Sequence, residues 1–219
     1  NIFYIGYAPE RISPGDKKKN YDISKIVAAE NKKIGIKIKK FYENFIKKVY
    51  LASKIEVAEL AKNFENCQRD LNIALMNDLY MLCEKVNINP YEVINACKTK
   101  WNFANYFPGL VGGHCISVDP YYLAYKAESL GYYPEVILSG RRVNDFMGIF
   151  VANKVVKIMT QKGITVRGSK ALILGITFKE NCPDIRNTKV VDIYNQMNLN
   201  NNICLHDPHA DAIEVQEKY

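Results

Sequence analysis

Residues 53–86 read SKIEVAELAKNFENCQRDLNIALMNDLYMLCEKV, a run without proline or glycine, and neither follows before Pro90. Its first four residues, Ser53-Lys54-Ile55-Glu56, form a capping box: the serine hydroxyl and the glutamate carboxylate can each satisfy a backbone N–H that a starting helix leaves without a partner. One helix is therefore expected from Ser53 to about Val86, on the order of 50 Å long at about 1.5 Å per residue. Val57, Ala61, Phe64, Gln68, Leu71, Leu75, Leu79 and Leu82 make a nearly heptad-spaced seam along it. A rod of that length outreaches one small domain, so the seam suits a second long helix supplied by another subunit.

Upstream, Ile34, Ile38, Phe41, Phe45 and Val49 fall on one face of an amphipathic helix starting at Lys32, with lysines opposite. Residues 1–30 read as strand, turn-rich loop and strand, with the strands at 2–5 and 23–28. Downstream, Asn89-Pro90 and Asp119-Pro120 each place a cap residue before a proline at the first helical position, and the long loop 99–118 separates them. Another helix begins near Pro134, with Val136, Val143, Phe146 or Met147, Phe150 and Val155 as its buried positions, and ends before Gly163. The period then changes. An apolar strand at 170–174, a helix-length segment at 190–197 and a second strand at 203–205 read as the start of a parallel βαβ fold. No G-x-G-x-x-G follows any strand, so the dinucleotide fingerprint is absent from this chain.

The 219 residues carry 30 Lys+Arg against 23 Asp+Glu, a formal charge of +7, and 48% hydrophobic residues, which fits a globular protein of one or two domains and excludes general disorder. No apolar run approaches the ~18 residues of a membrane span. The lysines concentrate between Lys17 and Lys48, and the chain has no aromatic-interleaved basic platform or zinc-finger spacing, which favours small anionic ligands over nucleic acid. Cys67, Cys83, Cys97, Cys115, Cys182 and Cys204 are spread singly, as expected for free thiols in the cytoplasm. A chain opening on Asn1 and running straight into a strand is expected to be an interior piece of a longer protein.

The strongest chemical signal is Pro108-Gly109-Leu110-Val111-Gly112-Gly113-His114-Cys115, where three glycines let backbone approach a ligand closely and hold a cysteine at the mouth of a helix. A helix N-terminus and a neighbouring histidine would favour the thiolate that attacks carbonyl carbon, although a cysteine can equally be a small buried hydrophobe. Lys62 and Asn66, four apart on one helix face, can touch one ligand together, holding an oxyanion and orienting water, or can be an ordinary surface pair. Lys179, Asp184 and Arg186 sit in the loop after the 170–174 strand, where open α/β sheets bind ligands. His114, His206 and His209 lack metal-ligand spacing, and no metal is expected.

Taken together, Ala8-Pro9-Glu10-Arg11-Ile12-Ser13-Pro14-Gly15, Ala58-Glu59-Leu60-Ala61-Lys62 with Glu65-Asn66, Arg69-Asp70-Leu71-Asn72-Ile73-Ala74, Gly112-Gly113-His114-Cys115-Ile116-Ser117-Val118-Asp119-Pro120-Tyr121-Tyr122, and Phe178-Lys179 with Asp184-Ile185-Arg186 resemble the UDP-glucose/GDP-mannose dehydrogenases. Lys100-Trp101-Asn102-Phe103 ahead of the glycine loop looks most like the branch that oxidises UDP-N-acetylhexosamines to uronic acids for surface polysaccharides such as capsule. The resemblance implies an α/β protein: the end of an N-terminal NAD-binding Rossmann domain at 1–30, a mostly helical central dimerisation domain at 31–160, and the start of a Rossmann-like UDP-sugar domain at 161–219.

It also implies chemistry: two successive hydride transfers from C6 of the sugar to NAD, with Cys115 adding to the aldehyde and the thioester then hydrolysed. Cys115, Lys62, Asn66, Asp119 and Glu10 would be catalytic. Lys62, Asn66, Arg69, Phe107, Gly109, Gly112, Gly113, Arg142, Phe178 and Lys179 would bind the UDP-sugar, with Cys115 and Arg186 toward NAD. The glucose-specific branch has a second glutamate and a lysine where this chain has Pro14 and Val118, which argues against UDP-glucose and leaves the hydrolytic base open. On this reading the chain by itself is inactive and forms a homodimer. The alternative is a non-catalytic dimerisation and nucleotide-sugar-binding module.

Overall fold

The computed structural model describes residues 3–12, 20–198 and 202–219. Pro14 and Ile2 lie outside them. The chain divides into two compact units, residues 1–66 and 67–219, with the boundary inside one helix.

In the first unit, β1 (Gly6–Tyr7) pairs antiparallel with β2 (Lys25–Ala29), and β2 pairs parallel with β3 (Val49–Leu51). The crossover is α1 (Lys32–Tyr42), which Asn31 caps by accepting the Ile34 N–H at 3.0 Å. β2 is buried on both faces, as a central strand must be, and Ile26 and Ala28 pack with Ala52 and Ala58. Two sequence expectations fail here. The first strand lies at Gly6–Tyr7 instead of 2–5, because the ladder begins only at Gly6 opposite Ala29. The first helix stops at Tyr42, so Phe45 and Val49 do not belong to it: the Asn44 side-chain amide donates to the carbonyls of Lys40 and Phe41 at 3.1 and 3.0 Å, ending the ladder, and Val49 becomes the first residue of β3.

The long helix α2 (Ile55–Lys85) is present as the capping box and seam imply. The second unit contains its later turns, α3 (Pro90–Cys97), α4 (Asp119–Ser129), α5 (Glu135–Gln161), and β4 (Lys170–Leu174), α6 (Val190–Asn198), β5 (Asn202–His206) and α7 (Ala212–Lys218). Asn89 caps α3 as read, accepting the Tyr91 N–H at 3.0 Å. Asp119 does not cap α4: helical winding starts one residue earlier, at Val118, and the Asp119 N–H already bonds the Cys115 carbonyl at 2.8 Å. α5 packs against α4 and α6. Val136 and Phe146 are exposed on it, and Met147 is the buried choice at that turn.

β4 and β5 pair parallel, Lys170 opposite Asn202 through Leu174 opposite His206, the βαβ arrangement expected from the sequence. Among the described residues no helix is long and apolar enough to cross a membrane.

Asp207 ties this unit together just after β5. One carboxylate oxygen accepts the N–H groups of Ile176 and Thr177, at 2.7 and 3.1 Å, and the other accepts that of His209 at 2.8 Å. Burial pushes its pKa up, but the three backbone donors outweigh it and hold the group down at about 2 against an ordinary 3.8. Because the folded carboxylate titrates below the unfolded one, the clamp contributes fully above about pH 4 and is lost as pH falls through about 2. Asp207→Asn should cost about 1 kcal/mol at neutral pH, a figure reduced for solvent screening. The difference in stability from wild type should shrink to near zero by pH 2, as measured by denaturation at several pH values.

Candidate functional site

The second unit has a polar interior. Its largest fully buried side chain is Arg141, and Asp70, Asn77 and Asn144 are buried with it. The Arg141 guanidinium donates to Asp70 Oδ1 at 2.6 Å and to Asp145 Oδ1 at 2.7 Å. Asn144 Nδ2 donates to the same Asp70 oxygen at 2.7 Å and to the Asp70 carbonyl at 3.0 Å. Burial pushes the Asp70 carboxyl up, opposed by Arg141 and Asn144. Asp145 is held below the usual range: burial acts upward, but Tyr121, Lys189 and Arg141 outweigh it. Through Tyr121 on α4 and Lys189 just before α6, 3.0 Å away, Asp145 joins α5 to both neighbours.

The glycine loop hangs from this interior as a strap. Asn77 grips the Gly109 peptide from both sides, its Nδ2 donating to the Gly109 carbonyl at 3.0 Å and its Oδ1 accepting the Gly109 N–H at 2.8 Å. At the far end Gly113 donates its N–H to the Arg186 carbonyl at 2.9 Å, while its own carbonyl accepts from Ser117 and, at 3.1 Å, from Asn187 Nδ2. A Cβ on Gly112 would stand 2.7 Å from the Asn187 carbonyl oxygen, and Gly113 has φ +90° with the Phe178 ring beside it. Only glycine fits either place. The strap thus meets the loop that follows β4, and Cys115 emerges from it exposed.

Cys115 is the accessible thiol of this region. Cys67 is buried, and desolvation, reinforced by Asp70 and Asp119, pushes its thiol up to about 11, too high to supply thiolate near neutral pH. All six cysteines are free.

The other sequence-picked residues fall as follows. Phe178 packs on the strap, and Arg186, half-exposed, forks onto Asp184 with an Nε–Oδ2 distance of 2.9 Å. Lys179 lies in the same loop, its carbonyl accepting from Thr177 Oγ1 at 3.3 Å. Phe107 is exposed beneath the Lys98 ammonium, 4.0 Å from the ring centroid. Arg69 and Arg142 are exposed on α2 and α5 and, among the described residues, no hydrogen bond ties them to the strap.

In the first unit, Lys62 is half-buried and Asn66 buried, both on α2. Glu10 spends one oxygen on the N–H groups of Arg11 and Ile12, both at 2.7 Å, and faces Lys25 at 3.5 Å. Burial acts upward, but these donors outweigh it and lower its pKa, which weakens it as a base in this arrangement.

Sequence reading missed Asn77, Arg141 and Asn144. Their signal was available: Asp70 and Asn77 lie seven apart on one face of α2, and Arg141, Asn144 and Asp145 are spaced three and four apart on α5. Polar residues recurring on an inward face mark a buried network. Among the described residues no His/Cys/Asp/Glu group could hold a metal.

Fold and site define a class, an α/β protein in which a helical unit delivers a cysteine to the carboxyl end of a parallel strand. The chain belongs to the UDP-glucose/GDP-mannose dehydrogenase family, matching its central domain over residues 56–146 and its UDP binding domain over residues 172–219. It is 50% identical to UDP-N-acetyl-D-glucosamine 6-dehydrogenase of Salmonella typhi, over 99% of this chain and 52% of that protein. It is 47% identical to protein CapL of Staphylococcus aureus, over 98% of this chain and 51% of that protein. The chain thus spans about half the length of these relatives. Among solved structures, UDP-D-ManNAc dehydrogenase from Pyrococcus horikoshii superposes with a TM-score of 0.87 at 29% identity, over 95% of this chain and 50% of that one.

The strap geometry separates its glycines. Gly112→Ala should lose about 2 kcal/mol or more, since the obstacle is backbone that cannot rotate away. Gly109→Ala, with nothing within 4 Å of the added methyl, should change stability by less than about 0.5 kcal/mol. Denaturant unfolding of both variants checks the contrast.

Proposed function

We propose that this chain is the central and UDP-sugar-binding part of an NAD-dependent UDP-N-acetylhexosamine 6-dehydrogenase, which oxidises C6 of the sugar to the uronic acid for surface polysaccharide synthesis. The observation that carries this reading is the exposed Cys115 on a strap pinned to the loop after β4, the end of a parallel strand where ligands of open α/β sheets lie. The names of the relatives support the substrate class.

Bound NAD⁺ would supply the hydride acceptor. The residues of this chain suited to it are Cys115, beside which the cofactor's reactive end must work, and Arg186, whose half-exposed guanidinium fits an anionic phosphate. The chain's own chemistry begins with the Cys115 thiolate adding to the C6 aldehyde, which makes the sulfur–carbon bond of the eventual thioester. By the sequence pattern, Lys62 holds the oxyanion and Asn66 orients the reacting oxygen or water. Asp119 assists proton transfer in hydrolysis. Glu10 would join it only by giving up its backbone N–H partners and Lys25.

The enzyme acts as a homodimer built on α2. Val57, Phe64, Leu75 and Leu82 of the seam are 42%, 60%, 61% and 60% exposed, a stripe that a facing helix would cover. Sedimentation at micromolar concentration should give a dimer, and a monomer would remove this assignment.

At the full length of the relatives, NADH absorbance should rise with NAD⁺ and UDP-N-acetylglucosamine. Cys115→Ser should abolish normal uronate formation while leaving thermal stability near wild type, because a hydroxyl is far less ionised than a thiol and its ester hydrolyses slowly. Lys62→Ala should slow turnover about 10²–10³-fold. A Cys115→Ser enzyme making uronate at the normal rate would eliminate the covalent mechanism, and a wild type without dehydrogenase activity would leave the non-catalytic module.

A further inference from the structure

We infer that Asn77, a buried residue of α2, is a positioning residue for Cys115, and that Asp70 sets the direction of the hydrogen bonds through which it acts. This deepens the dehydrogenase reading and rests on it for its catalytic part.

The argument is one of donors and acceptors. An ionised carboxylate only accepts, so Asp70 Oδ1 obliges Asn144 to turn its Nδ2 toward it, at 2.7 Å. The Asn144 oxygen is thereby left facing Asn77, 2.8 Å from Asn77 Nδ2. Asn77 must then present nitrogen on that side, and the same NH₂ group donates to the Gly109 carbonyl at 3.0 Å. The Asn77 oxygen is left for the Gly109 N–H at 2.8 Å. Each amide has one orientation that satisfies both neighbours, and the charge of Asp70, anchored by Arg141, selects it.

Gly109 needs such a holder. Nothing lies within 4 Å of where its Cβ would be, so packing does not fix the near end of the strap. The far end is fixed at Gly112 and Gly113 by contacts with residues 178 and 186–188. With both ends held, the single residue that separates Gly113 from Cys115, His114, has a fixed origin. With only the far end held, the cysteine inherits the motion of the loop after β4. A reacting atom displaced by about 1 Å can lose on the order of 10²-fold in rate.

The test compares Asn77→Ala and Gly109→Pro in the protein at the full length of its relatives. The first deletes the clamp; the second puts a ring carbon where the Gly109 N–H was, so that Asn77 Oδ1 loses its donor while the side chains of Asp70, Asn77, Arg141 and Asn144 are all retained, and it reports if Asn77→Ala does not fold. With NAD⁺ and UDP-N-acetylglucosamine, kcat should fall 10- to 100-fold in either variant, and in Asn77→Ala the KM for the sugar nucleotide should stay within about twofold, as expected for lost positioning and not lost ground-state binding. Amide hydrogen exchange, which needs no activity, should speed up at least tenfold over residues 109–113 of Asn77→Ala, with β4 unchanged.

A purely structural role predicts a lower thermal midpoint with kcat and strap exchange both at wild-type values, and that result overturns the inference. So does faster exchange with unchanged kcat. A wild type that does not oxidise any UDP-sugar defeats the dehydrogenase reading instead, and unchanged strap exchange in Asn77→Ala would then also defeat the clamp.

Discussion

The buried pair of Arg141 and Asp70 is the interaction on which the second unit depends. Taking two charges out of water costs several kcal/mol per ion, and their attraction offsets this only if nearby groups satisfy the remaining lone pairs and protons. Asn144 and Asp145 do much of that work, yet Asp70 Oδ2 and Arg141 Nε still have no hydrogen-bond partner. An interior of this kind is a poor way to gain stability, since well-packed apolar side chains of the same volume commonly do as well. What it supplies is direction. A guanidinium and a carboxylate can meet in only a few geometries, so α2 and α5 are held in one rotational register. The residues that follow on each helix then project at fixed angles.

The strap uses that register at one end and glycine sterics at the other. Gly112 and Gly113 are excluded from carrying side chains by a backbone carbonyl and by an aromatic ring. Gly109 is excluded by nothing and is held by an amide instead. Three glycines that look alike in sequence thus answer to two different physical demands, and the cysteine beyond them is exposed. Cys67 shows the contrast: closer to the charged interior, it is buried, its thiol is pushed upward, and it is unsuited to nucleophilic work.

Much of this was legible in the sequence where the signal was periodic or local. The long helix, the Asn89 cap and the parallel βαβ arrangement follow from spacing, proline position and the change of apolar period. The reading erred where local chemistry overrode the period. Phe45 and Val49 continued the helical spacing of α1, but the Asn44 amide ended the helix and released Val49 to a strand. Asp119 had the sequence of a cap, but the turn from Cys115 was already wound. The site was half-legible. Cysteine and glycines announce themselves by type, whereas Asn77 and Asn144 act by which of two atoms they turn toward a neighbour, and that cannot be read before the neighbour is known.

Asn77 and Asp207 solve the same problem in different places. A loop that leaves a helix or strand carries backbone donors and acceptors that no ladder satisfies, and water would satisfy them in many geometries. A side chain that takes them instead removes that freedom: Asp207 does so for residues 176, 177 and 209, and Asn77 for residue 109. The two differ in how firmly the holder is itself held. Asp207 stands just past a strand end and depends on its ionisation, so its grip weakens in acid. Asn77 is neutral, stands inside a 31-residue helix, two turns before its end, and is oriented by a carboxylate buried beside an arginine. The better-held of the two clamps is therefore the one on the strap that leads to Cys115, while the loop after β4 keeps its left-handed turns at Asn181 and Asn187 and holds the strap's other end through the Gly113–Arg186 backbone bond and the Asn187 side chain.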